Sequence, residues 1–143
     1  WIEHLILTVI KQNGVHDSRI YGRDETIWRF QPLSITQAQE ELDNLVNGYI
    51  EGMNQPLLLP LKSAWSWLES CVDKESQTIS TDSQIRTKAR QKLQASWERN
   101  YLFTGECDDY YLRLFPVLNN EIIEQIEALA IRFLLPIFKA RIT

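Results

Sequence analysis

The sequence predicts an α+β fold in which a small sheet or hairpin packs with about five or six helices. Three observations predict it. Apolar residues recur at three- and four-residue intervals in several separate segments, as they do along one face of a helix. Two short runs, Arg19 to Arg23 and Thr26 to Phe30, carry branched and aromatic residues of the kind strands favour, with a polar Asp24-Glu25 turn between them. The chain has 143 residues, 44% of them hydrophobic and 24% charged, which is enough for one domain or part of one with a real core.

The first helix is read from Ile2, Leu5, Ile6, Val9 and Ile10, which share one face. The chain begins at Trp1, without Met and already inside this pattern, as expected of an excised fragment. Asn13-Gly14 and the polar residues through Asp17 interrupt the period, and the hairpin follows. A second helix carries the clearest stripe: Ile35, Ala38, Leu42, Leu45, Val46, Tyr49, Ile50 and Met53. Ser34 with Gln37 makes a capping box at its start, and Pro56 sets its far limit. The apolar run Leu57 to Leu59, held between Pro56 and Pro60, predicts a short buried strand.

A helix over Ser63 to Val72 comes next, then a polar surface loop from Asp73 to Thr81. Thr81 and Gln84 repeat the capping-box spacing ahead of a stripe of Ile85, Ala89, Leu93 and Ser96, with Trp97 at its edge. Gly105-Glu106-Cys107-Asp108-Asp109 is expected to cap a short helix, Tyr110 to Phe115, that Pro116 ends. The last helix begins at Asn119 or Asn120, with Glu121 and Glu124 near its positive end. Its predicted core face is Ile122, Ile126, Leu129, Ala130, Phe133 and Ile137, with Ile123 and Leu134 beside it, and Pro136 should kink or stop it.

Fifteen Lys and Arg against nineteen Asp and Glu give a net charge of −4, so no net positive field draws a phosphate backbone. Cys71 and Cys107 form no CxxC pair, which argues against a disulfide framework or a zinc site and fits a reducing, cytoplasmic setting. No run of about 18 apolar residues exists to span a bilayer. His4 and His16 have no neighbours suited to a metal site or a proton shuttle and are expected to be structural or exposed. The residues two positions before Lys11, Lys62, Lys74, Lys88, Lys92 and Lys139 are never Asp or Glu. The (D/E)xK half-motif of metal-dependent nucleases is therefore missing, and neither a catalytic residue nor a cofactor is expected.

Two groups of residues are candidates for contact with a partner subunit or DNA. In the run Arg86, Lys88, Arg90, Lys92, residues two apart lie about 200° apart on a helix. Arg86 and Arg90 thus flank the apolar stripe on one side, and Lys88 and Lys92 on the other, as solvated charges on stems laid over a core. Trp65 and Trp67, two of five tryptophans, point in different directions on one helix, so one of them can serve as an interface anchor. Cys71 and Cys107 are read as buried and inert.

Several stretches together resemble the C-terminal domain of RecC, the gamma-subunit family of RecBCD (exodeoxyribonuclease V) helicase-nucleases. These are Trp1 to Leu5, Ser18 to Arg23, Ile27 to Leu33, Asn47 to Leu59, Gly105 to Leu114, and Arg132 to Phe138. Cys107 stands where the resemblance would have Gly. The resemblance implies a partial PD-(D/E)xK nuclease-like domain without an active site, its catalytic strands lying before Trp1. It also implies a non-catalytic, subunit-docking role in a heterotrimer with RecB-like and RecD-like subunits that acts on double-stranded DNA ends in break repair and recombination. Gly105, Glu106, Asp108 and Asp109 would then form a family-like structural or docking loop. Two rival readings remain: a divergent metal-dependent nuclease with Glu106, Asp108 and Asp109 as ligands, and a stand-alone nucleic-acid-binding module.

Overall fold

In the computed structural model, which describes residues 1–11, 17–22, 27–73, 75–98, 106–107 and 109–142, helix α1 spans Ile2–Ile10. Strands β1 (Ser18–Tyr21) and β2 (Ile27–Phe30) then pair antiparallel, Ser18 opposite Phe30 and Tyr21 opposite Ile27. The expected hairpin is present; its Asp24-Glu25 turn, the Asn13-Gly14 step and His16 lie outside the described residues. A two-residue strand β3, Arg141–Ile142, joins the other edge of β2, giving the order β1-β2-β3. Helix α2 (Ile35–Asn54) opens with the predicted capping box, in which Ser34 Oγ accepts from the Gln37 N–H and the Gln37 side chain accepts from the Ser34 N–H.

These elements and helix α7 (Leu135–Ala140) form the first of two compact units, Trp1–Leu57 with Leu135–Thr143. Leu5, Phe30, Ala38 and Ala140 are its buried apolar side chains among the described residues. The His4 ring joins this core, stacked on Trp1 at 5.7 Å and hydrogen-bonded through Nδ1 to Ser18 Oγ at 2.8 Å. The Gln31 N–H donates to the Ala140 carbonyl, tying the chain after β2 to the end of α7.

The apolar stripes of α1 and α2 are buried only in part: Leu5 and Ala38 belong to them and are buried, but much of each stripe stays exposed. In α1 the buried residues are His4, Leu5 and Thr8, whereas Ile2, Ile6 and Ile10 are exposed. In α2 only Ala38 and Gly48 are buried; Val46, Tyr49, Ile50 and Met53 face solvent. At about 100° per residue, this places the four exposed residues of the α2 stripe roughly a third of a turn away from its buried face.

The second unit is Leu58–Leu134. Helix α3 (Leu61–Cys71) is its centre, packed by α4 (Ser83–Trp97), α6 (Asn120–Leu129) and a π-helical turn, Ala130–Leu134. A short α5 (Asp109–Leu114) lies between α4 and α6 in the chain. The Leu57 to Leu59 run forms no strand: it lies in no regular element, with Leu58 buried, and pairs with no strand among the described residues. Val72 and Ile79 form an isolated bridge, and Asp73 Oδ1 accepts from the Glu75 and Ser76 N–H groups. Those bonds hold the Asp73 carboxyl below the usual range.

The cap of α4 is Asp82 rather than Thr81, its carboxylate accepting from the Gln84 and Ile85 N–H groups. Asn119 caps α6. The buried seam of α6 and the π turn is Ile123, Ile126, Glu127, Ala130 and Leu134: Ile126 and Ala130 of the predicted face, the flanking Ile123 and Leu134, and the unexpected Glu127. Pro136 is the second residue of α7, directly after the π turn. A proline ring clashes with the carbonyl four residues back, here Arg132, and widening that turn relieves the clash.

Candidate functional site

Glu127 is the unexpected group at the centre of the second unit. It lies in the apolar seam of α6 with its side chain 6% exposed. Arg90 of α4 answers it through Nε to Oε1 at 2.7 Å and through a terminal nitrogen to Oε2 at 2.9 Å, the paired geometry that suits guanidinium to carboxylate. Arg86 reaches the same Oε2 at 3.4 Å, and Arg90 also approaches Glu124 at 3.8 Å. The hydrogen bond to Glu127 holds the Arg90 pKa above its ordinary value. Arg86 and Arg90 therefore serve as a clamp between α4 and α6. Lys88 and Lys92, on the other side of the helix, are exposed.

Glu106 is likewise occupied within the fold. Helix α3 begins after Pro60, which has no capping side chain, so its first N–H groups need an acceptor from elsewhere. The Glu106 carboxylate supplies both oxygens, accepting from the Lys62 N–H at 2.9 Å and the Ser63 N–H at 2.7 Å. Its own N–H donates to the Ser96 carbonyl, and the Cys107 N–H to that of Trp97. Cys107 is buried with ordinary negative φ, so a side chain fits where the resemblance suggested Gly. Asp109 is the exposed first residue of α5; Gly105 and Asp108 lie outside the described residues. Among the described residues no group of three or more His, Cys, Asp or Glu is arranged to hold a metal ion.

The two candidate tryptophans separate as expected of residues two apart. Trp67 is fully buried, whereas Trp65 is half-buried and donates from Nε1 to Glu69 Oε1 at 2.9 Å. Cys71 is buried on the inner side of α3, beside a shallow pocket of about 580 Å³ that also includes Asp73, Ile79 and Ile85. Burial, reinforced by the nearby Glu127 carboxylate, pushes its thiol up to about 12. The sequence-predicted residues that are described thus do not converge on one cleft. Sequence reasoning missed Glu127, whose available signal was one carboxylate inside a seam of Ile123, Ile126, Ala130 and Leu134.

These features define an α+β protein of two units whose strongest polar contacts hold its own helices and whose first unit leaves apolar faces open. The chain belongs to the RecC C-terminal domain family, which matches residues 1–72. It is 39% identical over 140 residues to the RecBCD enzyme subunit RecC of Escherichia coli K12, covering 97% of this chain and 12% of that protein. Subunits of the same name from Buchnera aphidicola are 36% identical (subspecies Acyrthosiphon pisum) and 32% identical (subspecies Schizaphis graminum), each over 97% of this chain and 13% of the relative. The chain thus spans about an eighth of the length of the curated relatives it matches. No helix among the described residues is long and apolar enough to cross a membrane.

Proposed function

We propose that this chain is a C-terminal portion of a RecC-type subunit, where it catalyses nothing and acts as a structural and docking body for RecB-like and RecD-like subunits. The larger assembly would be a RecBCD-type helicase-nuclease, working in the cytoplasm on double-stranded DNA ends in break repair and recombination. The observation that carries this reading is the poverty of the first unit's core. Among the described residues it buries four apolar side chains, against fourteen in the second unit, while both of its longer helices turn apolar stripes to solvent. A unit of this length is marginal on its own core, and covering those stripes would supply what is missing. The relatives' common name, a subunit of a named complex, supports a protein as the cover.

The nuclease-like ancestry belongs to the same reading. The lack of Asp or Glu two residues before any Lys supports a nuclease-type body without its active site. Glu106, offered as a metal ligand under the rival reading, instead spends both oxygens on the start of α3. The test is to mix the full subunit, with and without residues 1–143, with its partner subunits and measure assembly by size-exclusion chromatography. Assembly should be lost while the truncated protein stays folded. Unchanged assembly with wild-type unwinding would overturn the reading.

A further inference from the structure

The exposed stripe of α2 differs from an ordinary scatter of surface apolar residues in its continuity and in its rim. Val46 (55% exposed), Tyr49 (70%), Ile50 (53%) and Met53 (71%) follow one another at three- and four-residue spacing over the last two turns of the helix. Every charged side chain on α2 is acidic: Glu40, Glu41, Asp43 and Glu51. The sole charged side chain of α1 is Glu3. Asp43 stands three residues before Val46 and seven before Ile50, so it borders the stripe, with Glu40 one turn further back. Glu3, Glu40 and Asp43 are exposed, and none forms an ion pair with a described residue.

From this charge pattern, and resting on the docking reading above, we infer that the Val46-Tyr49-Ile50-Met53 face of α2 receives an amphipathic protein segment whose apolar ridge is flanked by Lys or Arg. The rim decides between occupants. A second copy would set acidic rim against acidic rim, which electrostatics disfavours. A nucleic acid or an anionic lipid surface would meet the same repulsion. A partner helix with basic flanks gains both burial of the four side chains and complementary charge, with a tyrosine as the kind of anchor that dominates such interfaces.

The test uses the full subunit reconstituted with its partner subunits. One variant carries Val46→Gln, Tyr49→Gln, Ile50→Gln and Met53→Gln, changes that suit a helix at positions more than half exposed; a second carries Glu40→Lys and Asp43→Lys. Circular dichroism should show both folded. The apolar variant should weaken assembly at least tenfold. The charge variant should also weaken it and should abolish the loss of affinity that wild type shows on raising salt. An apolar variant within twofold of wild type overturns the inference, and if deletion of residues 1–143 still prevents assembly, the docking reading survives that failure. Tighter assembly by the charge variant overturns the basic-flank assignment. A wild-type self-dimer abolished by the apolar variant, or DNA or anionic-vesicle binding abolished by it, overturns the choice of occupant.

Discussion

Replacing Arg90 by Met should destabilise the second unit by about 2–3 kcal/mol, and replacing Glu127 by Met should cost less. The figure follows from the clamp. Charge-assisted hydrogen bonds contribute roughly 1.5–3 kcal/mol each when well formed, and breaking a fully buried pair costs about 3–5 kcal/mol. Arg90 makes two such bonds, at 2.7 and 2.9 Å, but its side chain is 30% exposed, so water partly replaces what is lost and the lower part of the range applies. The two single substitutions are unequal because Glu127, at 6% exposure, cannot rehydrate once its partner is gone, whereas the Arg90 head can. Arg86, at 46% exposure and 3.4 Å, offers a weak substitute worth about 0.5 kcal/mol. The double variant Arg90→Met with Glu127→Met should lie within about 1 kcal/mol of wild type, since an apolar pair needs no solvation. Equilibrium urea unfolding followed by tryptophan fluorescence measures all three. A cost below about 0.5 kcal/mol for Arg90→Met, or single costs that simply add in the double variant, would refute the clamp.

Glu106→Ala should cost about 1–2 kcal/mol in the same unfolding experiment, because two N–H groups at the start of α3 lose their acceptor, while Asp109→Ala, at an exposed site, should stay within about 0.5 kcal/mol. Equal effects would remove Glu106 from its capping role. Cys71 should resist iodoacetamide at pH 8 in the native protein and react only on unfolding, because its thiol is held near 12 against an ordinary value of 9.0. The folded state favours the protonated thiol, so its contribution to stability is complete below pH 9 and is lost as pH rises from 9 to about 12. A native alkylation rate equal to that of the unfolded chain would contradict the burial.

Helix existence and caps were legible because they are set by neighbours in sequence. Ser34 with Gln37 and Asn119 with the start of α6 needed only local chemistry. Thr81 matched the same spacing, yet Asp82, one residue on, reaches two N–H groups with a charged acceptor and takes the cap. Orientation was less legible. Periodicity groups residues onto a face but is silent on how much of that face meets a neighbour, so Leu5 and Ala38 are buried together with His4, Thr8 and Gly48 while the rest of each apolar stripe is exposed or only half-buried. The Glu106 contact with Ser63 spans 43 positions and that of Glu127 with Arg90 spans 37, distances at which local patterns carry no information.

The separation of Arg86 and Arg90 from Lys88 and Lys92, visible from helical geometry alone, decides how far the basic run can serve as a phosphate contact. Once the two arginines are committed to Glu127, two exposed lysines remain, with no ion pair to a described residue. Two phosphate contacts give a salt slope of only about −1.8, against roughly −5 to −9 for proteins that make six to ten. The chain around them carries a net charge of −4, which opposes even that pair. Affinity for DNA drawn from this run alone would be weak and would fall only gently with salt. A firm hold on DNA would need basic surface beyond this run, which itself offers only Lys88 and Lys92.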